Sequence, residues 1–421
     1  MARWRRFAVG FGIGLVALGG LLVLLALTRL GRSTPATAPT ASLTAATPLP
    51  QDQPVPTPEP LLPTRTPDAV RTPATTATSR SSEPSDEGAA ASNLSPPDAT
   101  VGPSVTQPAT TTSPVTVVPA ADRFRLGISL PYDVEHTTDL SLLKVGWTMD
   151  WDMHATAPLA GAERFAQTVR MKYGVLSETP EEIMATAAAS PGSLWLIANE
   201  PDVRWQDNVE PVTFARLYHD AYAAIKAGDP TAIVAAGGIG QTTPLRLRYL
   251  DLALEAYQRA YGHALPADAW HIHNYMLREE RDSWGLDIPP GLPDHTGALY
   301  EIEDSGNIEL FQEQIGVFRR WMLERGYGGL PLIISEFGIA MPFDYGFPPQ
   351  RIIEFLHATT AYMLTASDVT YGDPYDDYRL VQMWCWFSLS SREYPSGNLV
   401  DADTGEWTEL GRAWLVMVGT E

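Results

Sequence analysis

The chain has 421 residues, more than a single domain usually holds, and its 50 acidic against 29 basic side chains leave a formal charge of −21. Residues 1–120 contain eight arginines against seven acids, a surplus of one positive charge, so the remainder carries −22. Such a surface argues against nucleic acid and other polyanions as partners, because binding phosphate needs clustered Lys and Arg. The single cysteine, Cys385, excludes an intrachain disulfide and, set in an apolar aromatic run, is expected to pack in the core.

At the N-terminus Arg3, Arg5 and Arg6 precede an uncharged stretch, Phe7 to Leu27, long enough to span a bilayer. It exceeds a signal-peptide core, and no A-x-A-like cleavage site stands before Arg29. Residues 1–32 are therefore read as an uncleaved membrane anchor, with a removable signal segment as the alternative. The arginine excess ahead of the span places the N-terminus in the cytoplasm and the rest outside, membrane-anchored or else secreted. Residues 33–122 are rich in Thr, Pro, Ser and Ala, with few large apolar groups to offset ordering entropy, and read as a disordered linker. Residues 123–421 have the size of one large barrel domain, expected to be monomeric.

Eight short apolar or β-branched runs then recur between helical stretches. They are Phe124–Leu130, Leu143–Met149, Val169–Val175, Leu194–Ala198, Ala232–Ala236, Ala269–Asn274, Leu332–Glu336 and Leu380–Phe387. Thr179-Pro180-Glu181-Glu182 carries a capping box ahead of an Ala-rich helix. Phe214 to Ala227 is amphipathic and followed by Gly228, read as a C-cap glycine, and Asn307 to Arg325 likewise stops at Gly326. Strand, helix, strand at this regularity implies parallel strands with right-handed crossovers, and eight of them a closed (β/α)8 TIM barrel, an α/β fold.

Two of the runs end alike. Strand four closes on Asn199-Glu200-Pro201 and strand seven on Glu336-Phe337-Gly338. A carboxylate at the C-terminal end of a buried strand is costly unless paired, and that rim is where barrels build their sites. The pattern resembles the clan A glycoside hydrolases, retaining (β/α)8 enzymes, over essentially all of residues 123–421. The resemblance implies Glu200 as acid/base, Glu336 as nucleophile and Asn199 as partner of the substrate 2-hydroxyl. Retention needs two carboxyl groups roughly 5 Å apart, one protonated and one ionised, and neither cofactor nor metal.

Strand six reads Trp270-His271-Ile272-His273-Asn274-Tyr275, with His271, His273 and Tyr275 on one face at period two. The resemblance assigns His273 and Tyr275 to the site, Tyr275 bonding the nucleophile. H-x-H on a strand also chelates zinc, which is the competing reading, and one of the two histidines is expected to be an ordinary core residue. Trp384 and Trp386 on strand eight are candidate sugar platforms, Trp386 the better placed, with Trp151 and Trp205 as further candidates and Gln206, Asp207 and Asn208 as rim residues. The arginine common near strand two in the clan is not recognisable; Gly146 to His154 occupies that region. The expected activity is hydrolysis of a β-linked oligo- or polysaccharide. A catalytically silent carbohydrate-binding or wall-anchoring barrel, and a transglycosylase with the same residues, are the alternatives.

Overall fold

The computed structural model describes residues 115–135, 137–157 and 161–420. The expected apolar span and most of the expected linker lie outside them. No helix among the described residues is long and apolar enough to cross a membrane.

Eight parallel strands close a barrel in chain order: β1 Leu126–Ser129, β2 Trp147–Met149, β3 Arg164–Val169, β4 Leu194–Ile197, β5 Ile233–Ile239, β6 Ala269–His273, β7 Leu332–Phe337 and β8 Met383–Trp386. β8 returns to β1 with Gly127 opposite Cys385. The helices are α1 Pro180–Ala189, α2 Pro211–Gly228, α3 Pro244–Tyr261, α4 Ile308–Glu324, α5 Pro349–Thr365 and α6 Glu409–Met417. The β1–β2 and β2–β3 connections carry no α-helix among the described residues, only a 3₁₀ turn at Leu140–Leu143.

Alternate strand residues fill the lumen, with Trp147, Met149, Leu194, Leu196, Ile333, Met383 and Cys385 in one buried cluster. Gly127 makes room for the Trp147 ring, since a Cβ there would lie 2.5 Å from it. The other face of the sheet packs on the helices in a larger cluster that includes Trp195, Trp270, Trp384 and Trp386. Cys385 points inward and is fully buried.

Two expectations are corrected. The third strand is Arg164–Val169, and Lys172–Gly174 is a 3₁₀ turn. Gln167 hid the strand: it is buried, donating to the His154 carbonyl at 2.8 Å and accepting from its N–H at 2.6 Å, so a polar residue stands where an apolar one was sought. Gly228 closes α2 without left-handed backbone; the C-cap is Asp229. Its lack of a side chain serves packing instead, because a Cβ would lie 2.2 Å from the Met184 carbonyl on α1. The Thr179–Glu182 capping box forms as read.

Candidate active site

The backbone after β4 turns sharply, with Ala198 at φ 72° and Glu200 at φ 47°, left-handed values that cost about 1 kcal/mol or more for each non-glycine residue. Hydrogen bonds hold the turn. The Glu200 N–H donates to the Gly238 carbonyl at 2.7 Å, and its carbonyl accepts from Val203 at 3.0 Å. Asp207 braces it from outside, accepting from the N–H groups of Asn199 and Met171 at 2.9 Å each and from Arg170 Nε at 2.6 Å. Charge-assisted bonds of this kind are the strong ones, and they fix where Glu200 emerges.

On the facing side, the β6–β7 register runs Ile272 to Ile334 and then His273 to Glu336, skipping Ser335. A bulge re-aims the residue that follows it. Glu336 thereby becomes the neighbour of His273, and its carboxyl accepts two hydrogen bonds among the described residues, from Trp151 Nε1 on Oε1 at 2.7 Å and from the Tyr275 hydroxyl on Oε2 at 3.3 Å, with His273 Nε2 at ion-pair distance from Oε1, 3.3 Å. The other nitrogen of the same ring, His273 Nδ1, meets Glu200 Oε1 at 3.0 Å. Both carboxyls and the imidazole are buried.

Burial raises the Glu336 pKa, partly offset by His273. For His273 burial acts downward, but the adjacent Glu336 and Glu200 carboxylates outweigh it and the pKa lies above the ordinary histidine value. Burial and the same carboxylates push Tyr275 well up, so its hydroxyl stays a donor. His271 is the ordinary core residue expected of the pair. Its nitrogens meet the Ser335 hydroxyl at 3.0 Å and the Ile197 carbonyl at 3.1 Å, and burial lowers its pKa to about 3.

The aromatic platforms are redistributed. Period two along β8 sends Cys385 inward, so Trp384 and Trp386 both face the helix layer and are fully buried. Arg125 lies over Trp384, and Trp386 donates to the Gly397 carbonyl at 2.8 Å and packs edge-on against Phe337. Neither ring has a face for a sugar. The aromatic residue at the β8 rim is the half-buried Phe387, edge-on to Trp151 and Tyr394, which sequence reasoning missed. Trp205 remains partly exposed, with the Arg204 guanidinium 4.8 Å from its ring centre.

Asn199 reaches Gln206 at 3.4 Å, and Gln206 also accepts from Arg170 at 3.1 Å. Arg170, at the end of β3, was likewise missed; its signal was a basic residue inside an apolar run. Its charge reaches Glu336 and favours the carboxylate. Asn208 helps to line a cavity of about 320 Å³ with Arg204, Arg281 and Asp287. Among the described residues no three His, Cys, Asp or Glu side chains cluster as metal ligands would.

A family model described as a glycosyl hydrolase catalytic core matches residues 128–283, a span that holds Glu200 and His273 and stops short of Glu336. No curated protein matches the chain. Among solved structures, a GH128 subgroup II endo-β-1,3-glucanase from Pseudomonas viridiflava is similar at 19% identity and TM-score 0.48, over 69% of this chain and 96% of that one. A subgroup I endo-β-1,3-glucanase from Amycolatopsis mediterranei, complexed with laminarihexaose, is similar at 16% identity and TM-score 0.45, over 70% and 99%. A subgroup III curdlan-specific exo-β-1,3-glucanase from Blastomyces gilchristii is similar at 17% identity and TM-score 0.44, over 70% and 98%. By family model and by its closed barrel, the chain resembles the clan A glycoside hydrolases, as its two strand-end glutamates suggested.

Proposed function

We propose that the chain is a retaining glycoside hydrolase of β-linked glycans, with Glu200 as acid/base and Glu336 as nucleophile. The observation that carries the reading is the convergence of two buried carboxyls, from the ends of β4 and β7, on one imidazole. The two hydrogen bonds on Glu336 and the adjacent His273 ring favour an oriented carboxylate, the form that attacks an anomeric carbon. In that mechanism Glu200 donates a proton to the leaving oxygen in the first step and takes one from water once Glu336 is esterified. The β configuration and the contact of Asn199 with the 2-hydroxyl follow from the clan resemblance. The N-terminal apolar segment would hold the enzyme at a membrane with the barrel outside.

The two glutamates are separated by their responses to azide. Glu336→Ala is expected to lose activity of every kind, with azide rescue giving inverted product. Glu200→Ala should still form the glycosyl-enzyme from substrates with good leaving groups, which need little protonation, and azide should then give the retained β-azide. The opposite pattern exchanges the roles. Equal, modest losses in both variants overturn the glycosidase reading, because either group should cost far more than a peripheral contact.

A further inference from the structure

His273 touches both carboxyls at once, Nδ1 on Glu200 at 3.0 Å and Nε2 on Glu336 at 3.3 Å. We propose that this ring is a fixed imidazolium serving both carboxyls in turn, so that the negative charge of the site moves from Glu336 to Glu200 and back without losing its counter-ion. The inference rests on the retaining reading above and deepens it.

With Nδ1 donating to Glu200, a neutral ring would turn the lone pair of Nε2 toward the Glu336 carboxyl 3.3 Å away, whereas the doubly protonated ring presents a positive N–H there. The competing arrangement, a neutral ring accepting a proton from Glu200 Oε1, would aim that proton at His273 and away from a glycosidic oxygen. With the imidazolium donating to Oε1, the other oxygen of Glu200 carries the acid proton.

The balance of charge then closes at each step. In the first, a Glu336 oxygen bonds the anomeric carbon, the glycosidic C–O bond breaks, and the Glu200 proton goes to the leaving oxygen. Glu336 is now a neutral ester and Glu200 a carboxylate. In the second, Glu200 takes a proton from water, the resulting hydroxide oxygen bonds the anomeric carbon and the ester bond breaks, returning the charge to Glu336. One negative charge has crossed the ring and returned, and His273 has neither gained nor lost a proton. In a buried site, where a lone charge is costly, a counter-ion in contact with both ends serves both half-reactions without rearrangement.

The surroundings favour the charged ring. Glu336 on β7 acts on it most, followed by the hydrogen bond to Glu200 and the charge of Asp202 after β4, and together these outweigh the downward pull of burial. Just beyond its own strand Tyr275 lies edge-on, its phenol held protonated, and on the strand His271 is kept neutral. Beyond Glu336, Arg170 after β3 acts on that carboxyl, and the Cys385 thiol on β8 is pushed up by burial.

Nitrogen-15 spectra of the full chain labelled at histidine test the proposal. The resonances of His273, identified by their loss in His273→Gln, are expected to show both nitrogens protonated at neutral pH, with a midpoint above about 6.5. Glu336→Gln should lower that midpoint, since Glu336 is the main charge holding the proton. A singly protonated ring at neutral pH, or a midpoint indifferent to Glu336→Gln, overturns the inference. In His273→Gln, kcat/KM is expected to fall about tenfold to a hundredfold and the alkaline limb of its pH profile to leave its native position. An unmoved limb means a structural role only and also overturns it. Product stereochemistry is read alongside: retained product with a neutral ring removes this inference alone, whereas inverted product removes the reading beneath it.

Discussion

Trp151, a candidate sugar platform, donates its indole N–H to Glu336 Oε1 at 2.7 Å. A buried hydrogen bond to a charged acceptor is worth about 1.5–3 kcal/mol, so Trp151→Phe, which keeps an aromatic ring and removes the donor, is expected to lower kcat about tenfold or more with little change in KM. Unaltered kcat would show that Tyr275 and His273 suffice to hold the carboxyl. At this scale the sequence was informative about identity and less so about direction. Glu200, Glu336, His273 and Tyr275 meet at one rim, because each stands at or just beyond a strand end where the chain itself places it. Trp384 and Trp386 were mis-aimed, since alternation says that they share a face and not which face, and the inward place goes to Cys385. The Trp151 contact spans the barrel, from the end of β2 to β7, and no local pattern encodes it.

Between elements, the loop after β4 is tied to the loop after β6 directly, by Arg204 on Asp287 at 3.0 Å, and through one buried helix side chain. Arg246 on α3 is fully buried; its Nη1 donates to Asp202 at 2.6 Å, its Nε to Glu279 at 2.7 Å and its Nη2 to the Asp287 carbonyl at 2.9 Å. Glu279 also accepts from Gln241 at 3.0 Å and Thr243 at 2.7 Å. Asp202 lies two residues beyond Glu200, so the network holds the loop that carries Glu200 against the barrel. Arg246→Met keeps much of the volume but strands two carboxylates without their cation, and breaking a buried pair in this way costs about 3–5 kcal/mol. An unfolding free energy lower by that amount, read as a lower denaturation midpoint at unchanged slope, is the expected result. A loss under about 1 kcal/mol would place these charges within reach of water. This network was not legible, because in sequence an arginine inside an amphipathic helix reads as a solvated face. The strands themselves were legible except the third, where a buried glutamine interrupted the apolar signal. The first two crossovers also depart from the repeat, carrying no α-helix among the described residues.

For the whole molecule, the return of aromatic and aliphatic residues set the expected domain start at Arg123, yet the described chain engages the barrel earlier. Val118 is fully buried, and its N–H donates to the Met417 carbonyl at 2.9 Å. The Thr116 hydroxyl donates to the His357 carbonyl at 2.9 Å, and its N–H meets His357 Nδ1 at 3.3 Å. This segment thus joins the C-terminal helix α6 and the outer helix α5 to the N-terminal side of β1. A few valines after a Thr- and Pro-rich stretch look like more linker, which is why composition drew the boundary too late. We propose that the independently folding unit begins near residue 115. Burying one valine contributes about 1.5–3 kcal/mol, and each hydrogen bond adds about 1 kcal/mol. A chain starting at residue 115 is therefore expected to exceed one starting at Arg123 in unfolding free energy, by less than the roughly 4.5–6 kcal/mol of these contacts because ordering the segment costs backbone entropy, with both giving a single cooperative transition. Equal midpoints would mean that residues 115–122 contribute nothing to the fold, and failure of both chains to fold would mean that the barrel depends on residues before 115.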